Sequence, residues 1–457
     1  MRVFGIFLLP LLFAVSSSTA LAVTAERTLA NGMRVIVKTD TRAPVVVSQV
    51  WYRAGSMDEG YGETGVAHVL EHMMFKGTPA VPAGEFSKQI AAAGGRENAF
   101  TSRDHTAYFQ TLQKDRLELA LRLEADRMSN LVLAPEEFAK EIQVVMEERR
   151  MRTDDEPHSL LYENLMATAL QAHPYRHPVI GWMNDLKNMT VADARRWYQR
   201  WYAPNNAALV VAGDVEPEQV FALAEKYFGP IPARALPERK ALSEPEQTGM
   251  KRVVTRAPAK LPYLLMAWPA PKLNDPARDW EPYALQVLAG VLDGNASARL
   301  SQRLVRERKL ATEVGAGYDE TARGPVQFMV DATPAEGRSV DEVMAALKQE
   351  LARVQREGIA EQELQRVKAQ VLASQVFQRD SLFYQAMQIG QWTTAGLDYR
   401  LLDQRFERIR AVTAEQVREV ARRYLIDDKL TLAVLDPLPM PAGKFGRPAA
   451  MGGRHVR

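Results

Sequence analysis

Residues 68–72 read His-Val-Leu-Glu-His and lie in a segment, Gly65 to Met74, of helix-forming composition. His68 and His72 are i and i+4, so on a helix both imidazoles project from one face about one turn apart, as two ligands of a single tetrahedral ion require. Glu71 is i+3 from His68 and shares that face, where it can reach a water on the ion without being a ligand, the place of a general base. Zinc lowers the pKa of bound water to roughly 7, so a nearby carboxylate can take its proton at neutral pH. Only seven histidines occur in 457 residues, so this spacing is improbable from composition alone. The chain has no cysteine, which excludes disulfides, a thiolate nucleophile and sulfur ligands, and leaves His and carboxylates to do any metal chemistry.

A catalytic zinc takes three protein ligands and keeps the fourth position for water. The acidic segment that begins at Pro135 offers Glu141, Glu147 and Glu148, and its apolar residues Ile142, Val144, Val145 and Met146 predict substantial burial. Glu141 and Glu148 share a helical face, and Glu147 points about 100° away from Glu148. A buried carboxylate needs a partner, either as a ligand or as support for a ligating histidine. The residues themselves leave 147 and 148 both open. The remaining histidines carry less: His173 and His177 flank Pro174-Tyr175-Arg176 in a loop, His158 reads as a loop residue, and His105, which could line a cleft, is expected at the surface.

These residues must be held by a framework of strands and helices. Arg34–Lys38 and Val45–Trp51 read as strands, and helical signals run over Gly65–Met74, Leu117–Leu131 and onward from Pro135, a proline suited to a first helical turn. The mixture is blockwise, an α+β pattern. A helix-like stretch over 190–202 followed by the strand 207–212 recurs as 412–424 and 429–435. At an offset of 222, Ala192 meets Ala414, Arg196 meets Arg418, Arg200 meets Arg422, Tyr202 meets Tyr424 and Asp214 meets Asp436. The expected organisation is a signal peptide over 1–22, a metal-bearing domain over 26–235, a proline-rich linker over 236–257, a homologous domain over 258–440 and a flexible tail over 441–457. Arg2, the short apolar run Val3–Val15 and the small-x-small Ala20-Leu21-Ala22 form the secretory layout, too short for a membrane span. The expected product is exported, periplasmic in a Gram-negative source, and soluble after cleavage, with no membrane insertion. Fifty-eight basic against fifty-six acidic residues leave a formal charge of +2, which supplies no field for nucleic acid.

The string Gly65-Val-Ala-His-Val-Leu-Glu-His-Met-Met-Phe-Lys-Gly-Thr78 resembles the inverted-zincin peptidases of the pitrilysin and insulinase type, in particular the smaller subunits akin to mitochondrial processing peptidase. Asn98-Ala-Phe-Thr-Ser102, Glu141-Ile-Gln-Val-Val-Met-Glu-Glu148, Tyr202-Ala-Pro-Asn-Asn206 and Gly213-Asp-Val215 add to the likeness, which covers about residues 28 to 437. In that family the third ligand follows the second histidine after about 75 residues and lies seven beyond another acidic position. The resemblance therefore implies Glu148 as ligand and Glu141 as its supporting carboxylate, with one Zn2+ per chain. It also implies two homologous α/β-sandwich domains joined by a linker and pairing into a clam-shell chamber. An unfolded or short peptide would add there as a strand along Asn98, Ala99, Phe100 and Thr101.

One departure points to a partner. Relatives whose second half completes the site carry an Arg and a Tyr in a segment similar to Leu-Arg-Glu-x-x-Gly-Leu-Ala-Tyr, where they would stabilise the oxyanion. Here Leu304-Val-Arg-Glu-Arg-Lys-Leu-Ala-Thr312 places Val305 and Thr312 at those positions, and an alternative pair, Arg306 with Tyr318, has the wrong spacing. The expectation is the zinc-bearing subunit of a heterodimer, rather than a homodimer, whose homologous partner supplies the Arg/Tyr pair. Two other classes compete: a non-catalytic assembly subunit, against which the intact HxxEH argues, and a peptide-binding protein with a structural metal, which would usually have four ligands rich in cysteine.

Overall fold

Residues 24–440 are described by a computed structural model. The expected signal peptide over 1–22 and the tail over 441–457 lie outside these residues. Two sheets organise the chain. The first contains β1 (Thr24–Thr28), β2 (Arg34–Thr39), β3 (Val45–Tyr52), β4 (Arg96–Thr101), β5 (Thr106–Gln113) and β6 (Ala207–Gly213) in the order β1-β2-β6-β3-β5-β4. The second contains β7 (Lys251–Pro258), β8 (Tyr263–Ala270), β9 (Ala311–Tyr318), β10 (Val326–Pro334) and β11 (Thr431–Leu438) in the order β7-β11-β8-β10-β9. Apart from β1 the orders correspond, including one parallel pair in each, β2 with β6 and β7 with β11. This is the expected α+β fold of two similar halves.

The near-continuous apolar run of β3 has a period-two explanation. Val46, Val50 and Tyr52 face the core beneath the first half's own helices. Val47 and Trp51 face the opposite way, into a core shared with the second half. Each half lends the other a helix. Pro157–Ala169 buries Leu161 and Leu165 against β8 and β11 of the second sheet. Leu382–Ala395 packs on β3 and β6 of the first. Burial of a leucine of this kind stabilises by roughly 2 kcal/mol. Gly390 permits the second contact, since a Cβ there would lie 2.0 Å from Trp51 Cε2.

Several expectations are corrected by packing. The duplicated helices, Val191–Trp201 and Ala414–Tyr424, correspond at an offset of 223, not 222. Thr190 and Thr413 both form capping boxes, and the buried Ala194, Trp197 and Tyr198 match the buried Val417, Val420 and Ala421. Burial defines the register, and the five identities at 222 fall one residue out of it. Lys251–Pro258, within the proline-rich segment, is a strand of the second sheet. The segment before it is anchored, with Arg239 pairing Asp58 at 2.9 Å and Glu244 accepting from the His173 amide at 2.8 Å. Val144 is exposed, because it lies on the outer face of its helix. His105 is not at the surface: it is buried against Trp51 and Phe100, with Thr394 of the lent helix 3.4 Å from its Nδ1.

Candidate metal centre

The HxxEH string occupies the helix Val66–Met73, which starts at Gly65 with φ 90°. A side chain at Gly65 would be strained at that φ, and its Cβ would stand 2.5 Å from the Ile180 carbonyl oxygen. Glu59, which sequence reasoning missed, accepts from the Gly65 and Ala67 amides at 2.8 and 2.9 Å and so satisfies two first-turn donors. Val66, Ala67, Val69, Leu70 and Met73 are buried. That apolar stripe turns His68, Glu71 and His72 toward a cavity of about 690 Å³.

The helix Pro135–Arg149 packs across this one and brings Glu148 to both histidines. Glu148 Oε2 lies 3.4 Å from His72 Nε2, and Glu148 Oε1 lies 3.8 Å from His68 Nε2. One ligand atom from each of the three lies within 4.8 Å of the others. Bonds of about 2.0–2.1 Å to a tetrahedral ion would set neighbouring ligand atoms roughly 3.4 Å apart, close to both Glu148 contacts. Glu147 faces outward to Arg150 and takes no part. His72 Nδ1 stands 2.9 Å from Glu141 Oε1, and Lys76 holds the other oxygen of that carboxylate. A proton on Nδ1 shared with Glu141 leaves the Nε2 lone pair directed at the cluster, the usual support of a ligating histidine. Two imidazoles and a carboxylate, with room left in the cavity, suit a zinc ion with an open position.

The charges respond to one another. Burial pushes His68 down to about 4, helped by the neighbouring His72. Burial opposes charge on His72 as well, but its bonds to Glu141 and Glu148 carry it up to about 9. Glu148 is likewise disfavoured by burial, yet the bond to His72 and the charges of His68 and Arg152 bring it to about 2. His72 and Glu148 thus favour their charged forms through pairing, while His68 favours its neutral form. Glu71 is raised by burial, and the Thr101 hydroxyl that donates to it acts the other way.

That Thr101 contact ties the helix to β4, one of the two edge strands of the first sheet. β4 pairs with β5 on one side only, Asn98 opposite Phe109 and Ala99 opposite Tyr108. Asn98, Ala99, Phe100 and Thr101 line the same cavity as the histidines. The Asn98 side chain accepts from the Ala99 amide at 2.9 Å. His158 and His177 also line the cavity, whereas His173 is buried and accepts from the Tyr175 amide at 3.1 Å. Val305, Arg306, Thr312 and Tyr318 do not line it. Thr312 donates to the Thr333 carbonyl at 3.3 Å, and the Tyr318 hydroxyl donates to the Pro271 carbonyl. Sequence reasoning also missed Arg152, which pairs with Glu148 from the π-helical turn after its helix, and Arg103 on the cavity wall.

Comparison with known proteins places these observations in a family. The profile described as Insulinase (Peptidase family M16) matches residues 34–181, and that described as Peptidase M16 inactive domain matches residues 188–371. The chain is 36% identical over 291 residues to the zinc protease PqqE of Helicobacter pylori, covering 63% of this chain and 64% of that protein. It is 32% identical over 419 residues to an uncharacterized zinc protease of Mycobacterium leprae, covering 90% and 91%. The crystal structure of a protease from Helicobacter pylori superposes with a TM-score of 0.86 at 29% identity, covering 91% of this chain and 100% of that one.

Proposed function

This chain belongs to the insulinase (M16) family of peptidases, and we propose that it is a zinc-dependent endopeptidase of unfolded or short peptides. The observation that carries the reading is the convergence of His68, His72 and Glu148 beside a carboxylate, Glu71, that is not part of the trio. His68 and His72 through Nε2, together with Glu148, would hold the ion, with Glu141 orienting His72. A zinc ion there supplies Lewis acidity and lowers the pKa of water. Glu71 takes the proton of the attacking water and can deliver it to the leaving amine, and Thr101 orients its carboxylate by hydrogen bonding. The substrate backbone adds to the open side of β4 along Asn98–Thr101, which holds the scissile bond next to Glu71.

Among the described residues, those lining the cavity all come from the stretch between His68 and Ile180, so the described part of the second half contributes no oxyanion donor to the wall. That supports a pairing in which a homologous subunit brings an Arg and a Tyr to the site. A secreted product fits the N-terminal layout, and no helix among the described residues is long and apolar enough to cross a membrane. The test is hydrolysis of a quenched fluorescent unfolded peptide by wild type and Glu71→Gln, each assayed for zinc, with and without a co-expressed homologue. Retained zinc with activity down by about 10²–10⁴-fold in the variant supports the reading. Equal cleavage by both proteins overturns Glu71 as base, and full activity of the chain alone, unchanged by any homologue, overturns the pairing.

A further inference from the structure

Arg103 occupies the turn between β4 and β5, two residues beyond the Thr101 that touches Glu71. The turn is rigid. Ser102 donates its amide to the His105 carbonyl at 2.8 Å, and the Ser102 hydroxyl oxygen accepts from the amides of Asp104 and His105 at 3.1 Å each. The Met57 amide holds the Arg103 carbonyl at 3.0 Å, and Gly55 lies so close that a Cβ there would be 2.7 Å from the Arg103 carbonyl carbon. The backbone of Arg103 is therefore placed before any ligand arrives.

Arg103 is half-buried, and its guanidinium is held differently from other arginines of this half and its neighbour. Arg127 pairs with Glu124, Arg149 with Glu163 at 2.8 Å and Arg323 with Asp58 at 2.8 Å. Among the described residues the Arg103 guanidinium donates one hydrogen bond, to the Tyr162 hydroxyl at 3.3 Å, and its charge lies 5.7 and 5.5 Å from the ring centroids of Tyr162 and Tyr175. Its Nε is shut off from solvent without a hydrogen-bond partner, and none of the ion pairs among the described residues includes it. The adjacent Asp104 favours its charge through space but makes no ion pair with it, since that carboxylate accepts from the Tyr175 hydroxyl and from the Arg323 amide at 2.9 Å. An arginine cannot shed its proton to relieve such a position, and its planar fork matches a carboxylate.

Arg103 also lies at a junction, lining both the metal-side cavity and a second cavity of about 560 Å³ that reaches β9 and β10. The metal-side wall carries three arginines, Arg103, Arg152 and Arg176, against three glutamates, and among the described residues only Arg152 of these arginines pairs with a carboxylate, Glu148. Apart from Glu71 and Glu148, its acidic residue is Glu163, which Arg149 engages. Arg176 lines the wall too and donates to the Gln171 carbonyl at 2.8 Å rather than to a carboxylate.

We infer that Arg103 receives a carboxylate of the peptide as it lies along β4, so that the chain selects substrates bearing an acidic group a short distance from the scissile bond. This deepens the peptidase reading and rests on it. The carboxylate belongs either to an Asp or Glu side chain or to the free C-terminus, and Arg103 is a binding residue in both cases.

The test uses two peptide series with one common cleavage sequence. In the first, amidated peptides carry a single Glu or Gln scanned through positions on each side of the bond. In the second, all-Gln peptides of several lengths end in a carboxylate or an amide. The expected result is a kcat/KM ratio of about 10- to 100-fold in favour of the carboxylate in one series, the scale of a hydrogen bond to a charged partner. Arg103→Gln brings that ratio near unity, and Arg103→Lys, which keeps the charge, retains part of it. Preference in the first series identifies a side chain, and in the second the C-terminus. Equal kcat/KM across both series, or a preference that survives Arg103→Gln, overturns the inference while leaving the peptidase reading intact. Both series are run with the co-expressed homologue present, and failure to cut any peptide under that condition strikes the peptidase reading instead. Arg103 is then judged by anisotropy of the same peptides on Glu71→Gln, where binding indifferent to the carboxylate overturns the inference.

Discussion

The two halves share a strand order but differ where one pair of helices crosses. In the first half Val66–Met73 meets Pro135–Arg149 through His68, His72 and Glu148. In the second, Glu281–Asp293 meets Glu361–Gln378 through an apolar contact, where a Cβ on Gly290 would lie 2.8 Å from Val367 and 3.3 Å from Val371. The sheets and their cores are alike without the polar trio, so the trio is not needed to build this architecture. Burial of such polar groups is costly unless they are paired, which fits the proposed metal site. The second half adds packing instead, and its lent helix Leu382–Ala395 closes the back of the first sheet.

That contrast can be broken at the centre first. Glu148→Ala is expected to take zinc content from about one ion per chain to nearly none, because two imidazoles alone make a weak site. Glu147→Ala should leave metal content unchanged. Metal analysis after dialysis separates the two, and loss with both variants would mean that the helix crossing is misread.

The lent helix comes next. Gly390→Ala forces a methyl into the Trp51 ring and should cost about 3 kcal/mol in urea unfolding, with part recovered when Trp51 is also replaced by Leu. A variant as stable as wild type would show that the helix does not bear on the first sheet.

The junction should also be acid-sensitive. Burial pushes His105 down to about 3, helped by the charge of Arg323, against about 6.5 when unfolded. Between those values the unfolded chain binds the proton and the folded chain does not. Stability is therefore present above pH 6.5 and lost as pH falls, on the order of 2–3 kcal/mol by pH 4. His105→Gln should flatten that portion of the pH profile, measured by urea unfolding at pH 7 and pH 4.

The smallest effect sharpens the support of the site. Glu141→Gln keeps the shape but weakens the hold on His72 Nδ1, and zinc affinity should fall about 10–100-fold in competition with a chelator. An unchanged affinity would remove Glu141 from the site.

The sequence by itself determined the local geometry. A helix of 3.6 residues per turn puts His68, Glu71 and His72 on one face whatever surrounds them. Alternating strands such as Val45–Tyr52 are legible because side chains alternate at every residue. The family likeness added Glu148 to that reading. Tertiary structure decided everything that depends on two distant segments meeting. Which carboxylate of 147 and 148 faces the histidines is settled by how one helix crosses another. The burial of His105 comes from a helix nearly 300 residues later in the chain. Glu59 and Arg103 leave no mark at the level of spacing, because their roles come from what packs against them. Local periodicity is written along the chain, whereas the desolvation and pairing of a charge are properties of the whole fold.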